Sequence, residues 1–134
     1  MSKSLIQTAN PTTQAVAENG IISLGTVLRR YGCNLRMSGN GIEVIGDGYY
    51  EIDAAVTVEP SALGNVSVTI FVDGVEVPSA VSSGYASAED TPVTLPIVTT
   101  IRKGCKCDGA SNITFVLLEG TGDVTNISVR VSKS

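Results

Sequence analysis

The chain has 134 residues, 43% of them hydrophobic and only 16% charged, with a formal net charge of -4 and no histidine. A chain of this length fits one domain that buries roughly two-thirds of its unfolded surface, and its composition is too apolar for a disordered tail. The acidic balance argues against nucleic acid as a partner, since binding a phosphate backbone needs clustered Lys and Arg. No segment supplies the ~18 apolar residues of a membrane helix, and residues 1–10 lack the apolar core of a secretory signal. The expectation is a soluble protein outside that export route, with a subunit interface covering the apolar surface that so few charges leave open.

Residues 1–14 are polar and contain the turn signal Asn10-Pro11, which predicts an N-terminal arm ahead of a single β-domain over residues 15–134. Ala15-Val16 and Ile21-Ile22-Ser23-Leu24 predict short strands separated by Glu18-Asn19-Gly20. Arg29 to Asn34 reads as a loop, and Gly39-Asn40-Gly41 introduces a strand at Ile42 to Val44. Gly48 to Val58 is the clearest element. Tyr50, Ile52, Ala54, Val56 and Val58 fall on one side of it, and Tyr49, Glu51, Asp53, Ala55 and Thr57 on the other.

Asn65 to Val72 alternates in the same way and runs into Asp73-Gly74, a pair suited to the two positive φ angles of a type I′ hairpin turn. Further strands are predicted at Thr91 to Arg102, Asn112 to Leu118 and Val124 to Ser132. Pro92 and Pro96 within one of them point to a sheet edge, a bulge or a subunit boundary, because proline cannot donate to a ladder. No window shows a helical period. About eight to ten short antiparallel strands make an all-β sandwich, of the jelly-roll type.

Gly48-Tyr49-Tyr50-Glu51-Ile52-Asp53 resembles the Gly-x-Tyr-x-Phe motif that opens a central strand in C1q-like and tumour-necrosis-factor-like domains, with Ile52 where the family favours Phe. The downstream order of strand, Asp-Gly hairpin, long strand, hairpin and C-terminal strand is similar to that family as well. The tract from Gly25 through Arg29-Arg30-Tyr31-Gly32, Ser38-Gly39-Asn40 and Gly48-Tyr49-Tyr50 is similar to small bacterial and prophage-encoded jelly rolls, among them phage virion proteins and spore-surface tips.

The resemblance implies a C1q/TNF-like homotrimer whose inner sheet, containing Tyr49 to Val58, faces the other subunits. With the alternation, it puts Tyr49, Glu51 and Asp53 at the trimer interface, joined by Thr94, Val98 and Thr100 or their odd-numbered neighbours and by Ser128 and Arg130, Arg130 being the candidate partner of the two acids. The implied role is a structural module of a phage or prophage virion, a capsid decoration or fibre component assembled in the bacterial cytoplasm. Its N-terminal arm would hold capsid or tail proteins. The alternatives are a bacterial cell- or spore-surface tip, and a receptor- or glycan-binding module using loops such as Val81 to Asp90 or Lys103 to Asp108.

Without histidine the chain lacks the usual general base at neutral pH and the commonest transition-metal ligand. No nucleophile elbow or phosphate-cradling loop stands out, so neither enzyme activity nor a cofactor is expected. Cys33, Cys105 and Cys107 leave three fates open: free thiols, a disulfide involving Cys33, or a zinc site. The sequons at Asn65, Asn112 and Asn126 fall in predicted strands, and Asp47, Asp90, Asp108 and Asp123 read as turn residues rather than calcium ligands.

Overall fold

The computed structural model describes residues 4–46, 48–61, 64–77, 80–86, 92–103 and 111–133. These form strands β1 (Ser4–Asn10), β2 (Gln14–Val16), β3 (Gly20–Ile21), β4 (Thr26–Tyr31), β5 (Leu35–Ser38), β6 (Gly41–Val44) and β7 (Gly48–Pro60). The second half adds β8 (Gly64–Val72), β9 (Val75–Glu76), β10 (Ser82–Ala86), β11 (Val93–Lys103), β12 (Ser111–Glu119) and β13 (Gly122–Lys133). The larger number than expected comes from two- and three-residue pieces such as β2, β3 and β9, which are too short for a period to register.

Two antiparallel sheets face each other. Sheet one has the order β11-β7-β13-β1-β4, with β2 also on β13; sheet two has the order β10-β8-β12-β6-β5, with β3 on β12 and β9 on β8. The chain passes repeatedly from one sheet to the other, as in a jelly roll. In β7 the buried residues alternate strictly, and Tyr50, Ile52, Val56 and Val58 are fully buried against Val68, Ile70, Phe115 and Leu117 of the same core cluster. Each such aliphatic side chain contributes on the order of 1.5–3 kcal/mol by leaving water. The Tyr50 hydroxyl lies 2.9 Å from the carbonyls of both Ile45 and Gly46 and donates to them, so this large ring is buried without leaving its polar end unsatisfied.

The expected N-terminal arm is corrected by β1, which is an inner member of sheet one, paired with β13 on one side and β4 on the other. Ile6 and Thr8 are fully buried, and the buried Ser4 hydroxyl donates to the Asn34 side-chain oxygen at 2.9 Å. Asn34 in turn donates to the Ile45 carbonyl, which fastens the start of the chain to the turn after β6. Only one of the inward positions of β1 is apolar, so its alternation was too faint to separate from a polar tail. The Asn10-Pro11 turn is present, with the Asn10 side chain accepting from the Thr12 amide at 3.1 Å.

The loop expected over Arg29 to Asn34 is likewise corrected, since Thr26–Tyr31 is the edge strand β4. All six of its residues are exposed, so it has no buried face to announce it in the sequence. At the opposite edge lies β11, carrying Pro96, which fits the edge among the three positions read for the prolines, while Pro92 lies just before the strand. The Asp73-Gly74 hairpin also forms, with φ of 53 and 84 degrees.

Candidate self-association face

Sheet one turns its second side outward, and the registers order its side chains in rows. Val98, Asp53, Arg130, Gln7 and Arg29 occupy successive strands β11, β7, β13, β1 and β4. The next row is Thr100, Glu51, Ser132, Leu5 and Tyr31, and beyond it Arg102 stands opposite Tyr49. Ser128 pairs with Ala55 on the other side of the Arg130 row. Tyr49, Glu51, Asp53, Val98, Thr100, Ser128 and Arg130, read from the sequence as an interface, thus share one surface.

The alternation survives a break in β13 that a simple even-odd count would miss. Gly122 and Val124 point inward, yet so do Ile127, Val129 and Val131. The phase changes because Thr125 is an extra residue: Val124 pairs with Val58, and Asn126 with the next residue, Thr57. The bulge puts Ser128 and Arg130 outward. Thr125 itself keeps its hydroxyl on the Thr57 carbonyl at 3.4 Å.

Electrostatically the face is mixed. Arg130 donates to Asp53 at 2.5 Å within the chain, with both side chains about half exposed, as the sequence had proposed for this arginine. Among the described residues Glu51 has no ion-pair partner. Val98 is 75% exposed and Tyr49 57%, large apolar areas for a surface with nothing against it. Beside Val98 a shallow depression of about 360 Å³ is lined by Gln7, Asp53, Ala55, Val98, Ser128 and Arg130.

Gln7 and Arg29 belong to this surface and were missed, because their strands read as an arm and a loop. The outward positions Leu5, Gln7 and Ala9 against inward Ile6 and Thr8 were the available signal. Cys33 is exposed, and Cys105 and Cys107 lie outside the described residues. Asp123 is on β13 opposite Glu59 rather than in a turn, while Asp47, Asp90 and Asp108 lie outside the described residues. Asn65, Asn112 and Asn126 all sit in strands. Among the described residues no group of three or more acidic, Cys or His side chains is placed to hold a metal ion, and no helix is long and apolar enough to cross a membrane.

No family model matches the sequence, and no curated protein matches it. Solved structures do resemble the whole fold. Murine APRIL superimposes with a TM-score of 0.75 at 10% identity, covering 99% of this chain and 100% of that one. The globular domain of zebrafish complement 1qA protein gives 0.69 at 7% identity over 96% and 94% of the two chains. PRD1 vertex protein P5 gives 0.65 at 15% identity over 97% and 96%. The chain therefore has the C1q/TNF-like jelly-roll fold, a likeness it shares with a phage vertex protein.

Proposed function

We propose that this chain is a non-enzymatic structural module of a phage or prophage virion that self-associates as a homotrimer through the outward face of sheet one. The observation that carries the virion role is the end-to-end similarity to PRD1 vertex protein P5, over 97% of this chain. Support for the trimer is the exposed apolar and mixed-charge surface around Val98, Tyr49 and the Arg130–Asp53 pair, on the sheet that the C1q/TNF-like resemblance turns toward the other subunits. Covering Val98 and Tyr49 removes from water the apolar area that the low surface charge leaves open.

Ser4–Asn10 is built into sheet one, so this stretch is not itself a free arm for holding a particle. Mass spectrometry of particles purified after induction of the host is the test. The protein is expected there in a copy number that is a multiple of three, and particles devoid of it would refute the virion role.

A second reading, a receptor- or glycan-binding module, is favoured by one observation: Tyr85 is 63% exposed on β10 at the edge of sheet two. Sugar-dependent signal on a glycan array, lost in Tyr85→Ala, is the expected result under that reading.

A further inference from the structure

Sheet one ends in two edges of different chemistry. At β11, Pro96 within the strand and Pro92 just before it remove amide donors and blunt the edge against further pairing. At the other end, β4 contains no proline, exposes all six of its residues, and has no strand on its free side among the described residues. Leu28 and Tyr31 are 58% and 56% exposed, and Val27 is exposed beside them. Leu28 is the extra residue where the β1–β4 register shifts, so it stands out of the ladder.

Charge distinguishes this edge further. From Asn19 to Ile42 the sequence has Arg29, Arg30 and Arg36 and no acidic residue, in a chain whose net charge is -4. Arg36 is neutralised by an ion pair with Glu43. Arg30 is fixed by donating its Nε proton to the Leu35 carbonyl at 2.6 Å and has no ion-pair partner among the described residues. Arg29 has no ion-pair partner among the described residues and stands in the same row as Gln7 and Arg130.

Charges alone on an edge strand serve to repel a further strand. Here they flank three large exposed apolar side chains, which selects a partner rather than refusing all of them. A second copy pairing through β4 would bring Arg29 and Arg30 of both chains close together, and like charges across a strand pair are destabilising. An acidic strand meets the opposite condition.

We propose that β4 is a strand-addition edge that accepts an extended acidic and apolar segment of a partner protein. The segment's backbone completes the hydrogen bonding of β4; because side chains alternate across the strand, its carboxylates meet Arg29 on the outward side and its apolar side chains cover Val27 on the other. The assignment does not rest on the virion role; Arg29 and Tyr31 also lie in the outward rows of sheet one, so it requires a trimer contact that leaves β4 uncovered.

Hydrogen exchange of the full chain, with a short synthetic peptide of alternating Glu and Val as the probe, tests it. Slowed exchange confined to β4 is expected with this peptide and none with its Lys-Val counterpart. Arg29→Glu should weaken binding by about tenfold or more, as the reversal of a facing charge requires, while Arg29→Lys keeps it. Equal protection by the Lys-Val peptide, no protection of β4 at all, or the same protection by inorganic polyphosphate would overturn the proposal. The two-peptide comparison on the unaltered protein decides the matter even where the charge-reversed variant does not fold.

Discussion

Tyr50 and Thr69 are both fully buried, yet their hydroxyls stand in opposite situations. Tyr50 donates to the carbonyls that follow β6, so Tyr50→Phe should lower stability by about 1–2 kcal/mol in a denaturant titration. Thr69 has no partner for its hydroxyl among the described residues, and Thr69→Val, of nearly the same shape, should leave stability unchanged or raise it by up to about 1 kcal/mol. The Arg130–Asp53 pair belongs to a third kind. It is half exposed, so Arg130→Ala should change the stability of the folded chain by less than about 1 kcal/mol.

At the scale of elements, how much the sequence revealed depended on whether a strand has a buried apolar side. In β7 every second residue is buried, and in β8 the alternation ends in an Asp-Gly turn, so both were legible along with the hairpin between β8 and β9. β1 buries Ser and Thr as well as Ile, and β4 buries nothing, so pairing rather than pattern defines them. Of the residues assigned to one surface, Tyr49, Glu51 and Asp53 were legible from the alternation of β7, and Ser128 and Arg130 from the apolar Ile127, Val129 and Val131 beyond the bulge; Gln7 and Arg29 were not, because their strands were not seen. The bulge at Thr125 makes a sharp case. Deleting Thr125 leaves Val124 opposite Val58 and Asn126 opposite Thr57 in an unbroken ladder, so that variant should remain soluble and cooperatively folded. Deleting Ser128 instead turns Val129 and Val131 outward, at a cost on the order of 1.5–3 kcal/mol for each, and should abolish the cooperative melt seen by circular dichroism.

For the whole molecule the question is what covers the outward side of sheet one. The sandwich is already complete without it, since the core lies between the sheets and Val98 contributes nothing there. A substitution such as Val98→Glu should therefore leave the fold intact while placing a desolvated charge in any contact made on this face. Sedimentation equilibrium at micromolar concentration measures the claim most directly. The expected mass is three times the 13.8 kDa of the chain, falling to that of the single chain in Val98→Glu; a 13.8 kDa species for the unaltered protein would contradict the trimer.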